Sequence, residues 1–166
     1  MKMKLTGPFL FLLFSLNVCL AQKHFGEHCE GVWKGKMFMY SYGKLKDSVE
    51  VKLTIQKTNN PEVYQWKTDY LSAKWPMTKD YLLKRIDKEK NQYETDEQNG
   101  IVLKDYLVDN KLYSFFETEG IYLSSSYELQ KDYLLFEVTS GKKINTTQGV
   151  TNITVDHVQK VYLKKK

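Results

Sequence analysis

Apolar and polar residues alternate most regularly in the segment that follows Ser48. The apolar positions are Val49, Val51, Leu53 and Ile55, with a charged or polar residue between each pair. A period of two predicts a β-strand that has one buried face and one face in water. The same alternation, less regular, recurs along most of the chain.

Turn dipeptides separate the apolar segments in the second half of the chain at nearly constant spacing. Between them lie segments of about eight to ten residues that are rich in Tyr, Phe, Leu, Ile and Val. Such spacing is typical of strands joined by hairpins. The dipeptides are Asn99-Gly100, Asp109-Asn110, Glu119-Gly120, Gln130-Lys131 and Ser140-Gly141.

The complete pattern predicts nine or ten strands and very little helix. Residues 71–79 are predicted as a loop, because Trp75-Pro76 interrupts the pattern and proline has no backbone donor for a sheet. A polar loop is predicted over 141–149. The predicted strands are 31–42, 49–56, 62–70, 80–87, 93–96, 101–108, 111–118, 121–129, 132–139 and 150–163.

Short connections place neighbouring strands side by side, so the chain is predicted to be all-β and to form an antiparallel meander. An open meander of this size would expose two strand edges, whereas closure removes them. We therefore expect an up-and-down β-barrel of about eight to ten strands. The interior of such a barrel is either filled by side chains or holds one small ligand.

The first residues have the layout of a cleavable secretory signal. Lys2 and Lys4 precede an apolar run over 9–16, and Cys19-Leu20-Ala21 follows it. We expect cleavage after Ala21, with residues 22–166 as a single barrel domain that is exported. Lipidation of Cys19 is the alternative, and bulky Val18 disfavours it.

Charge and cysteine content exclude several classes of function. The net charge is +5, but the basic excess is concentrated in the terminal residues 164–166 and forms no basic face for nucleic acid. Lys104 beside Asp105 puts mid-strand charge on both faces, so a membrane-spanning barrel is not expected. Cys29 is the single cysteine beyond the predicted signal, and it is either a buried apolar group or a reactive thiol.

Gly31-Val32-Trp33, placed before a long strand meander, resembles the start of calycins, the group of lipocalins and fatty-acid-binding proteins. The resemblance implies that Gly31 and Trp33 form a structural plug at the narrow end, with Lys160 or Lys164 packed over the tryptophan. It also implies a small hydrophobic or amphipathic ligand and no enzymatic activity. The layout is more similar to secreted bacterial lipocalin-like proteins, periplasmic or released, than to animal carriers.

A second resemblance rests on Trp33-Lys34-Gly35 together with His157-Val158 and Tyr162. These fragments are similar to nitrobindin-type barrels, which bind haem through a histidine in the last strand. The resemblance implies haem at His157 as an alternative cofactor and haem-dependent chemistry as an alternative function. Otherwise no cofactor is expected.

The candidate ligand-binding residues follow from strand parity, so they depend on each register being correct. No catalytic or metal-binding residue is predicted: Ser124-Ser125-Ser126 lacks a nucleophile elbow, and His24, His28 and Cys29 are an incomplete ligand set. A filled barrel that acts as an interaction module remains a further alternative, and the oligomeric state is open. The candidates are Met37, Met39, Tyr64, Trp66, Phe116, Ser125, Tyr127 and His157.

Overall fold

The computed structural model describes residues 23–144 and 149–166. The predicted signal segment, 1–21, lies outside the described residues. The elements in chain order are α1 (Phe25–Cys29), β1 (Gly31–Ser41), β2 (Lys44–Lys57), β3 (Val63–Tyr70), β4 (Met77–Asp87), β5 (Gln92–Asp96), β6 (Val102–Val108), β7 (Lys111–Thr118), β8 (Ile121–Leu129), β9 (Leu134–Ile144), β10 (Asn152–Ile153) and β11 (His157–Lys165).

Ten of the described strands form a closed antiparallel barrel. Each strand from β1 to β9 pairs with the next, and β11 pairs with both β9 and β1. The short β10 pairs with the end of β9 outside this ring. The all-β, antiparallel, closed architecture predicted from the alternation is therefore confirmed.

Hairpin turns join most of the neighbouring strands. Glu119 and Gly120 both have positive φ, as the tight turn between β7 and β8 requires, and Asp109 has positive φ in the turn between β6 and β7. The observed bounds of β7 and β8 are those predicted from the sequence. The β4 strand begins at Met77, so the predicted loop over 71–79 is shorter than expected.

The last third of the chain differs from the prediction in two places. Ser140-Gly141 is not a turn but part of β9, which continues to Ile144. The predicted strand over 150–163 is two strands, β10 and β11. The connecting segment crosses β9 so closely at Gly141 that a side chain there would overlap the backbone of Thr154, which explains the glycine.

The helix α1 closes one end of the barrel and was not predicted. His24 caps it by accepting a hydrogen bond from the Gly26 amide, and Phe25 and Cys29 are buried below it. Gly26 lies directly on the ring of Tyr64, where a larger residue would overlap. The main core lies between this helix and the middle of the barrel.

Candidate functional site

A cavity of about 200 Å³ occupies the half of the barrel farther from α1. Its wall is formed by strands β3 to β9, with Gln159 added from β11. The interior is therefore not completely filled by side chains, although the filled barrel was one of the alternatives from the sequence.

Aromatic rings form much of the cavity wall. Trp66 and Tyr127 meet edge to face with their centroids 5.0 Å apart, and Tyr127 stacks on Phe136 at 4.3 Å. Trp66 also stacks on Phe25 of α1 at 6.1 Å, so it separates the plugged end from the cavity. These rings offer flat apolar surface to a ligand.

Three polar groups on this wall are buried and make no hydrogen bond of standard geometry within the described residues, although the Ser114 hydroxyl lies near Asp105 and the Trp66 indole near the Tyr127 hydroxyl. They are Nε1 of Trp66, Oδ1 of Asp105 and Oγ of Ser114. Buried polar atoms are paired in the great majority of cases, because an unpaired one costs about 1–3 kcal/mol. Three of the four such atoms in the described residues therefore lie on the wall of one cavity.

Asp105 is the most deeply buried of the charged groups, with 1% of its surface exposed. It lies on β6 directly opposite Ser114 of β7, and its Oδ2 accepts a hydrogen bond of 2.6 Å from the Thr95 hydroxyl. Burial raises the pKa of this carboxyl to about 6, and the nearby Thr95 and Ser114 hydroxyls oppose the rise. The group is therefore ionised at neutral pH but at an energetic cost.

Two charged residues lie farther out on the same wall. Lys79 holds its ammonium 5.7 Å from the centre of the Tyr81 ring. Burial, together with the Glu97 carboxylate near the Tyr81 hydroxyl, raises the pKa of that phenol. The wall thus includes two carboxylates and one ammonium.

The structure places four of the eight candidate residues on the cavity wall: Trp66, Phe116, Ser125 and Tyr127. Ser125 is the middle member of the serine triplet, and its small side chain leaves space inside the barrel as expected. Whether these four bind a ligand stays a prediction.

The other four candidates lie elsewhere. Met37 is fully buried but belongs to β1, on the opposite side from the cavity, and Met39 is half-buried next to a register shift in β1. Tyr64 is covered by α1, with its ring 4.6 Å from that of His24.

His157 is exposed and does not line the cavity. It is the first residue of β11, at the rim of the barrel, and its ring lies 6.0 Å from that of Tyr42. The inward orientation was inferred from the parity that His157 shares with Ile153, Val155, Val161 and Leu163. Within β11 this parity holds, since Val161 and Leu163 are buried and Gln159 lines the cavity. His157 is exposed because it begins the strand, at a rim position beyond the cavity.

Gly31 and Trp33 lie at the plugged end. Lys165 is the lysine over Trp33, with Nζ 5.4 Å from the ring centre, in place of the expected Lys160 or Lys164. The strand register explains the difference. Lys165 of β11 is paired directly with Trp33 of β1, whereas Lys160 forms an ion pair with Glu137.

The sequence reasoning missed Asp105, Ser114 and Thr95. The signal was present, since Asp105 shares its parity with Leu103 and Leu107, which marks it as a polar residue on a buried face. In the sequence analysis Lys104 and Asp105 served only to show that charge lies on both faces of the strand.

The described part of the chain is thus a closed antiparallel β-barrel with an internal cavity, consistent with a calycin-like barrel. No protein-family model matches the chain, and no curated protein matches it significantly. Among solved structures, it is similar to a protein of unknown function of the DUF3598 family from Nostoc punctiforme, with a TM-score of 0.52 and 12% identity. The match covers 84% of this chain and 48% of that one, so the chain spans about half the length of that protein. At this identity the likeness shows the fold alone.

Within the described ranges, no helix has the length and apolar character needed to cross a membrane. In the same residues, no group of three or more His, Cys, Asp or Glu side chains is arranged to hold a metal ion. His24, considered above as a metal ligand, uses Nδ1 to accept from Gly26 and points Nε2 at the carbonyl oxygen of Glu62.

Proposed function

We propose that this chain is an exported, non-enzymatic binding protein that holds one small amphipathic molecule inside its barrel. The observation that supports this most directly is the group of three buried polar atoms without a hydrogen bond of standard geometry, on a wall that also has six aromatic and five aliphatic residues. A ligand that pairs with them would recover the cost of their burial.

The size of the cavity restricts the ligand. An engineered apolar cavity of about 150 Å³ is known to bind benzene, so about 200 Å³ suits a single ring with a short chain. The ligand needs a hydrogen-bond donor for Asp105, whereas the Trp66 indole already lies near the Tyr127 hydroxyl. The proposal does not include haem, because His157 lies outside the cavity wall.

Titration with 2-phenylethanol, followed by methyl NMR, tests the proposal. We expect shifts concentrated in the methyl groups of Leu83, Leu112 and Val138, which line the cavity. Shifts spread over exposed methyl groups, or no saturable shifts, would contradict it.

Neighbouring serines on β8 provide a matched pair of variants. Ser125 lines the cavity, whereas Ser124 lies in a shallow cleft on the outer surface. Ser125→Phe should fill the cavity and abolish the shifts, and Ser124→Phe should retain them. Equal binding by both variants would place the ligand outside the barrel.

A further inference from the structure

We propose that the ligand is a small organic cation, a protonated amine on an apolar body, whose ammonium group pairs with Asp105. The inference rests on the proposed function and specifies the chemistry of the same cavity.

The geometry around Asp105 suits an ammonium group. One carboxylate oxygen already accepts a hydrogen bond from Thr95, while Oδ1, with the Ser114 hydroxyl nearby, makes no hydrogen bond of standard geometry in the described residues. Asp105 and Ser114 are directly opposed on adjacent strands, so their side chains leave the same face side by side. An ammonium has three donors and can bond to both oxygens at once.

The charge balance favours a cation over a neutral donor. Within residues 23–144 and 149–166 no ion pair involves Asp105, although a buried carboxylate normally has a cationic partner. The wall has a second carboxylate, Glu97, and one cation, Lys79, which lies over Tyr81. The two carboxylates and one ammonium give the wall a negative formal charge, which one monovalent cation would neutralise.

The aromatic residues of the wall also favour a cationic ligand. Trp66, Tyr127 and Phe136 pack into one aromatic cluster that lines the same cavity as Ser114 and Asp105. Ring faces attract cations most strongly where water is excluded. They also pack against the apolar body of an arylalkylamine.

Three probes of nearly equal size and different charge test the inference: 2-phenylethylamine, 2-phenylethanol and phenylacetate. At pH 8 the amine is largely protonated, and Asp105, with a pKa of about 6, is ionised. We expect the amine to bind the wild-type protein at least tenfold more tightly than the alcohol, and the acid to bind most weakly. This series needs no variant, so it does not depend on the folding of a mutant.

Asp105→Asn removes the charge and keeps the shape, and Asp109→Asn is the matched control at an exposed turn position after the same strand. The amine should bind Asp105→Asn at least tenfold more weakly and Asp109→Asn less than threefold more weakly, while the alcohol changes less than threefold in both. An equal loss in both variants, or none in Asp105→Asn, would overturn the assignment to Asp105.

The outcomes separate the two proposals. If the alcohol shifts the cavity methyl groups and the amine binds no more tightly, the cavity binds ligands but the cation inference is wrong. If neither molecule shifts these methyl groups, both proposals are wrong.

Discussion

The indole of Trp33 donates a hydrogen bond of 2.7 Å to the carbonyl oxygen of Cys29. This bond connects the last residue of α1 to β1, the first strand of the barrel, and both residues are buried. Because α1 has only five residues, it depends on such tertiary contacts rather than on intrinsic helical stability. The plug and β1 therefore form one unit.

Trp33→Phe should lower the free energy of unfolding by about 1–3 kcal/mol, measured by urea denaturation. The change removes the bond to Cys29, leaves a buried carbonyl without its partner and shrinks the ring. Trp75→Phe is the control, because Trp75 is 82% exposed and should change the stability very little. Equal effects of the two substitutions would show that the plug contact does not contribute.

The Cys29 thiol should be unreactive in the folded protein. It is completely buried, and burial raises the pKa of the thiol far above its usual range. Alkylation followed by peptide mass mapping should show modification of Cys29 only after denaturant is added. Rapid modification of the native protein would mean that α1 opens readily.

His24 should make the fold less stable as the pH falls from 6.5 to 4. Burial, helped by the nearby charge of Arg85, lowers the pKa of His24 to about 4. The unfolded chain then takes up a proton that the folded chain excludes, so the stability from neutral His24 is present above pH 6.5 and lost toward pH 4. Protonation of Nδ1 would also remove the acceptor of the Gly26 amide.

His24→Asn isolates this contribution, because asparagine also caps helices but does not titrate. The stability difference between wild type and variant should change by up to about 1.4 kcal/mol per pH unit between pH 6.5 and 4, and stay constant above pH 7. His28→Asn, at an exposed position of the same helix, is the control. A difference independent of pH would contradict the prediction.

Asp105→Asn should stabilise the protein without ligand at pH 8. The pKa of Asp105 is raised to about 6, so the folded state binds its proton more tightly and loses stability as the pH rises from 3.8 to 6. Removing the charge should recover about 1–3 kcal/mol at pH 8 and almost nothing at pH 3, measured by thermal or urea unfolding. A loss of stability at pH 8 would mean that Asp105 is structurally required.

Alternation was sufficient for the architecture because buried and exposed faces must alternate in every strand of a barrel. The strands with tight turns, β7 and β8, were predicted to the residue for this reason. The helix α1 was missed because its five residues are too few to show a helical period, and because Tyr64 and Tyr93, which contact it, are distant in sequence.

The site was harder to predict than the fold. The parity of a residue along its strand predicts whether its side chain points into the barrel or out of it. It does not predict whether an inward side chain lines the cavity or packs in the core. Met37 and Trp66 both point inward, yet only Trp66 faces the cavity. That difference depends on how side chains from many strands fill the same volume, which no local pattern contains.

The pairing of β1 with β11 affects the order of events during folding. Met37 and Val161 are paired neighbours although more than a hundred residues separate them. Contacts so distant in sequence require a large loss of chain entropy before they form, which slows folding. The ring can close only after β11 has been synthesised, so α1 and the first strands leave the ribosome with an unpaired edge.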